Sequence, residues 1–159
     1  MTPFDSKPGD LAIRPARDGD AGLLVEFNRA MARETEGKEL PVEIVTAGVR
    51  SLLANPGHGF YTVAESAGEV VGSLMITFEW SDWRNALFWW IQSVYVHPDF
   101  RRRGVYRRLY EHVRTRAREE GACGLRLYVE RENAVAQGVY SALGMHRSGY
   151  LLFEEMLTG

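Results

Sequence analysis

Between Val94 and Leu109 an apolar run stops at Pro98, a short Arg-rich turn follows, and Gly104 opens a helical pattern. A strand, a tight loop and a helix in that order leave little choice of local structure. The first backbone N–H groups of the helix have no intrahelical acceptor. Together with the helix dipole they make a concave anion site suited to a pyrophosphate. No Gly-Lys-Ser/Thr follows, so this is not a Walker loop. The three spaced glycines of a Rossmann fingerprint are also missing. The competing reading of this run alone is a helix that begins beside a solvated basic surface.

A second segment reads as a short helix over 134–143. Asn133 is a good N-cap and Gly144 a good C-terminal stop. The two segments together resemble motifs A and B of the GNAT acetyltransferase superfamily. Motif A is Gln/Arg-x-x-Gly-x-Gly/Ala, and its three positions fall on Arg101, Gly104 and Tyr106. Tyr106 departs from the family's Gly or Ala. A helical residue there needs no positive φ, so a Tyr fits if its ring turns away from the phosphates. Motif B falls on Asn133, Ala136, Tyr140 and Leu143-Gly144-Met145. The resemblance covers nearly the whole chain and is closest to the small-molecule and diamine acetyltransferases.

A chain of 159 residues with 45% hydrophobic content fits one domain and one core. The expected organisation is a flexible tail over 1–10 and a single domain over 11–159. A net charge of -2 argues against a general nucleic-acid binder. Cys123 is the only cysteine, which excludes an intrachain disulfide and suits a reducing cytosol. In its apolar stretch it reads as core rather than nucleophile. No run approaches the roughly 18 apolar residues of a membrane span, and 1–10 lacks the apolar stretch of a signal peptide. A cytoplasmic protein without membrane association, nucleic acid or metal is expected.

Along the chain, residues 11–14 read as a strand. Asp18 can cap a helix running to about 33, with Leu23, Phe27 and Met31 on one face. Pro41 opens a second helix with Val42, Val45, Val49 and Leu52 as its buried stripe. Residues 60–65 and 70–78 form a hairpin about Ala67-Gly68. Residues 87–96 are apolar on both faces, as in a central covered strand. Val105, Leu109, Val113 and Ala117 recur every four residues and make a helix. Residues 125–129 make a further strand, and the alternation over 146–157 predicts one or two more. The order is β-α-α-β-β-β-α-β-α-β. Alternating elements of this kind give an α/β or α+β class. The resemblance implies the GNAT fold, a mixed central sheet splayed between its fourth and fifth strands.

The resemblance also implies the chemistry: acetyl transfer from acetyl-CoA to an amine. The amides of Arg102, Arg103, Gly104, Val105, Tyr106 and Arg107 would hold the pyrophosphate, with Arg101 opening the loop and the Arg side chains adding contacts near the 3′-phosphate. Val94, Tyr95 and Val96 would pair by backbone with the pantetheine arm, and the Val94 N–H would polarise the thioester carbonyl. Tyr140 is the expected general acid toward the leaving thiolate, or else a core aromatic. Asn133 is expected to touch the pantetheine arm, to cap its helix, or both. Where diamine acetyltransferases carry a Glu on the fourth strand, this chain has Gln92, a poor base at neutral pH. Glu79 or Asp82 acting through water, ordered water alone, and an amine that arrives neutral all remain open.

Trp80, Trp83, Trp89 and Trp90 crowd one short stretch, and alternation sends Trp89 and Trp90 to opposite faces. With the acidic patch Glu34, Glu36, Glu39 and Glu43 they suit a cationic acceptor. The expected acceptor is therefore a small amine, polyamine or amino-acid-like molecule, bound by Glu34, Trp80, Trp83 and Trp90. An idle acetyl-CoA-binding regulator and a protein N-acetyltransferase are the alternatives. An Arg-rich nucleic-acid module would instead bind polynucleotides with steep salt dependence. A homodimer is expected from the resemblance alone.

Overall fold

The computed structural model describes residues 10–158, so all of the anticipated tail except Asp10 lies outside the described residues. Backbone contacts divide the chain into two units, one ending at Tyr128 and one beginning at Val129.

The first unit contains β1 (Leu11–Pro15), α1 (Ala21–Glu36), α2 (Val42–Ala54), β2 (Gly59–Ser66), β3 (Glu69–Ser81), β4 (Ala86–Val96), α3 (Val105–Glu119) and β5 (Gly124–Leu127). Its five strands lie in sequence order in one sheet. The first four are antiparallel, and β5 joins β4 in parallel. Ala67 and Gly68 close the β2–β3 hairpin with φ of +49° and +81°. Two left-handed residues in a row match the twist of a two-residue hairpin.

Alternation sorts the faces. Tyr61, Val63 and Met75 pack with Leu24, Val25 and Val49 of α1 and α2. On the other face, Phe60, Phe78 and Trp89 form one aromatic group, and Arg116 of α3 lies 4.0 Å from the Phe60 ring centroid. Leu109 and Val113 anchor α3 with no exposed surface. Burial on that scale contributes on the order of 1.5–3 kcal/mol for each side chain. Gly72 lets the helix start approach: a Cβ there would sit 3.0 Å from Val105 Cγ1 and 3.2 Å from the Tyr95 carbonyl.

One irregularity organises the rest. The β3–β4 ladder pairs Gly72 with Val96 and Ser73 with Tyr95, then Met75 with Gln92 and Ile76 with Ile91. β4 therefore carries one residue more than β3 at Ser93–Val94, a bulge, and Ser93 takes φ +49°. The bulge reverses the alternation. Trp89 faces α3, yet Tyr95 faces α1, with its ring centroid 4.9 Å from that of Phe27. Just before this point the β5 pairing stops, since β5 matches only Phe88 through Ile91. Residues 92–96 lie beyond it, as a sheet that splays between its fourth and fifth strands requires.

Several local expectations are corrected. α1 starts at Ala21 rather than after an Asp18 cap. Asp20 instead ties the chain down, accepting from Arg14 at 2.8 and 3.1 Å and from the Arg17 N–H at 2.7 Å. Leu23 and Val42 are exposed, because the inner faces of their helices are formed by Leu24 and Val25 and by Val49. Cys123 is exposed, not core.

In the second unit α4 (Ala134–Ala142) is capped by Asn133, whose Oδ1 accepts from the Ala136 N–H at 3.1 Å. Gly144, at φ +97°, ends it. Residues 145–158 carry no strand, contrary to the expectation from their alternation. Alternation supplies a two-faced segment, but a strand also needs a paired edge. Here Leu151, Phe153 and Leu157 are exposed.

Candidate active site

The loop that follows β4 forms a 3-10 turn at Pro98–Phe100 and then runs through Arg102 at φ +63° and Gly104 at φ +78°. Left-handed residues alternating with others turn successive N–H groups toward one side, which suits an anion. The first helical bond of α3 runs from the Arg108 N–H to the Gly104 carbonyl at 3.0 Å. Its first turn holds no acidic residue, while Arg102, Arg103 and Arg107 are exposed around it. Positive side chains at a positive helix end repel one another and the dipole, and a bound anion relieves both. Tyr106 is half-buried with its ring centroid 6.2 Å from that of Tyr110, so it packs along the helix.

The Arg101 side chain does not join this anion-facing group. Its Nε donates to the Val96 carbonyl at 2.9 Å and its Nη2 to Glu34 Oε2 at 2.7 Å. The Tyr95 hydroxyl donates to the other oxygen of Glu34 at 3.2 Å. Each Glu34 oxygen thus accepts one hydrogen bond within the protein, which fixes the carboxylate against Tyr95 and Arg101. Burial, with Glu34 beside it, pushes the Tyr95 phenol above its usual pKa. A cleft of about 520 Å³ opens between α1 and the end of β4, lined in part by Leu23, Phe27, Glu34, Tyr95 and His97.

Toward the other end of β4, on the α1–α2 face, the Trp90 indole and Arg126 both donate to Glu79 Oε1 at 2.8 Å. The Trp90 N–H, with Arg126 beside it, holds the Glu79 carboxyl below its usual pKa. Trp90 stacks on Tyr128 with centroids 4.5 Å apart, and Gln92 donates to the Thr77 hydroxyl. Trp80 is not part of this group. It lines a separate cleft of about 300 Å³ with Phe78 and Trp89, on the α3 face. Trp83, 88% exposed, and Asp82 sit in the turn of the β3–β4 hairpin. The proposed indole cluster is therefore split across the sheet. Tyr128 and Arg126 were not singled out by the sequence, because only the parallel β4–β5 pairing brings them beside Trp90. In the second unit Asn133 caps α4 and Tyr140 lies half-buried near its end. Burial raises the Tyr140 phenol above its ordinary pKa.

The model of the Acetyltransferase (GNAT) family matches residues 25–145, most of the chain. The chain belongs to this family. It is an acetyltransferase, and acetyl-CoA is its acetyl donor. The GNAT chain is 32% identical over 145 residues to the thialysine N-epsilon-acetyltransferase of Bos taurus, covering 83% of this chain and 82% of the relative. It is 29% identical to the L-methionine sulfoximine/L-methionine sulfone acetyltransferase of Pseudomonas paraeruginosa, covering 88% and 83%. A solved structure of a possible acetyltransferase from Clostridium difficile 630 matches with a TM-score of 0.88 and 41% identity, over 94% of this chain and 99% of that one. The GNAT fold is thus shared with a solved structure. No helix among the described residues is long and apolar enough to cross a membrane.

Proposed function

We propose that this acetyltransferase acts on the primary amine of a small cationic or amino-acid-like molecule, by direct attack while both substrates are bound. The observation that carries the reading is the Ser93–Val94 bulge. A bulge leaves backbone groups unmatched in the ladder, here where β5 has left β4 and a few residues before the anion loop. The Val94 N–H is then the donor toward the carbonyl oxygen of the thioester as negative charge develops there. Val94, Tyr95 and Val96 offer their backbone to the pantetheine arm, and the amides from Arg102 to Arg107 to the pyrophosphate. Acetyl-CoA supplies an activated acetyl group whose leaving group is a thiol. Asn133 meets the pantetheine arm beyond its capping role, and Tyr140 returns a proton to the sulfur.

On the acceptor side, Trp90 stacked on Tyr128 gives an aromatic wall for a cationic or amphipathic amine. The two curated relatives act, by their names, on amino-acid-like molecules. Glu79 braces Trp90 and Arg126 and is a poor base with its carboxyl held low. Asp82 is exposed in the hairpin turn and Gln92 is an amide, so the amine loses its proton to water or arrives neutral. Glu79→Gln is accordingly expected to lower kcat less than about fivefold, where removing a true base costs about 10²-fold or more. The acid limb of the kcat/KM profile against pH should not move. A disappearing acid limb would restore Glu79 as the base.

The acceptor class is tested by free-thiol release from acetyl-CoA with polyamines, amino acids, aminoglycosides and N-terminal peptides. Release is expected with amino acids or polyamines. Release with peptides alone would make this a protein N-acetyltransferase. Acetyl-CoA binding with no release above hydrolysis would make it an idle regulator.

A further inference from the structure

Glu34 stands in the last turn of α1, where the helix dipole disfavours a carboxylate. What holds it there is specific. One oxygen accepts from Tyr95, the residue the bulge turns toward α1, and the other from Arg101, which opens the anion loop. Arg101 also returns to the Val96 carbonyl and lies 5.4 Å from the Tyr95 ring centroid. Three elements (α1, the end of β4 and the start of the loop) therefore meet on one carboxylate. The Glu34 and Arg101 side chains are 41% and 43% exposed. An ion pair that open to solvent contributes little to stability, so stability gives it little purpose. Its geometry does fix where the loop leaves the strand.

We propose that Glu34 is a positioning residue for the acetyl-CoA loop, acting through Tyr95 and Arg101, and is not a ligand of the acceptor amine. The inference rests on acetyl-CoA being the donor. It couples the helix beside the α1–β4 cleft to the pyrophosphate end of the donor site, so donor affinity depends on a residue that does not touch the donor.

The test is CoA binding by titration calorimetry, without amine, alongside steady-state kinetics of Glu34→Gln, Tyr95→Phe and Glu34→Gln combined with Arg101→Met. Glu34→Gln should weaken CoA binding about two- to fivefold, since it loosens a solvent-exposed bridge. KM for the amine and kcat at saturating acetyl-CoA should stay within about twofold. Adding Arg101→Met also removes the bond to the Val96 carbonyl and should weaken CoA binding by a further, smaller factor. Tyr95→Phe keeps its packing on Phe27 and should weaken CoA binding by a smaller factor. It provides a second reading should Glu34→Gln fold poorly. A rise in amine KM with CoA binding unchanged would overturn the proposal and return Glu34 to the acceptor site. Unchanged CoA binding in both single variants would also overturn it. A wild-type chain that fails to bind CoA would overturn the donor assignment and this inference together.

Discussion

Tyr140→Phe is expected to lower kcat about 10²-fold while leaving acetyl-CoA affinity within about threefold. The size follows from the leaving group. An ordinary thiol has a pKa of about 8.5, so expulsion as thiolate near neutral pH is only modestly uphill. An acid at that position therefore gives a gain at the low end of the usual range for proton transfer. The pH dependence is more diagnostic. Burial raises the Tyr140 phenol above its ordinary value of about 10, so it stays protonated through neutral pH. The rate should fall as pH rises through that raised pKa, and this alkaline limb should be absent from the Phe variant. Profiles of kcat against pH for the two chains, with thiol release as the readout, decide the matter. An unchanged kcat would remove Tyr140 from the chemistry and leave it a helix aromatic.

Much of the framework around the β4–α3 loop could be read before the fold was known, because its signals are local. The four-residue recurrence from Val105 to Ala117 marks α3, and its apolar members are the buried ones. Pro98 and Gly104 mark the turn before it, and Ala67-Gly68 marks the hairpin. Each depends on residues close in sequence. The cluster around Trp90 depends on pairing across the sheet. Trp90, Glu79 and Arg126 meet only because β3, β4 and β5 are neighbours in a particular register. Trp80, one residue from Glu79, is sent to the opposite face by the same geometry. Arg101 belongs to a run of three arginines that look alike in sequence, yet it alone turns back to Val96 and Glu34. The closing segment fails in the opposite sense: its period of two is clear, and no strand forms from it among the described residues.

The bulge left no mark at all. Ser93 sits inside an apolar run with no Gly, Pro or Asn beside it, so strict alternation places Tyr95 on the face of Trp89. One extra residue moves it to α1, and the same arithmetic provides a clean experiment. Deleting Ser93 lets Val94 face Leu74 and keeps Tyr95 opposite Ser73 and Val96 opposite Gly72. The ladder becomes regular, yet Tyr95, Glu34 and the anion loop keep their register. Only the irregular backbone at the proposed carbonyl site is lost. The deleted chain should therefore fold and bind CoA within about fivefold of the wild type, because its loop and tie are intact. Its kcat should drop about 10²- to 10³-fold, the loss that follows removal of one donor to a developing oxyanion. Ser93→Gly is the control. A left-handed conformation costs a non-glycine residue roughly 1–2 kcal/mol and glycine almost nothing, so this variant keeps the bulge and should keep kcat within about twofold. Melting temperature, CoA affinity and kcat measured on the three chains separate the possibilities. A deletion that binds CoA and turns over normally would show that a regular strand serves as well, and the donor to the thioester carbonyl would have to lie elsewhere.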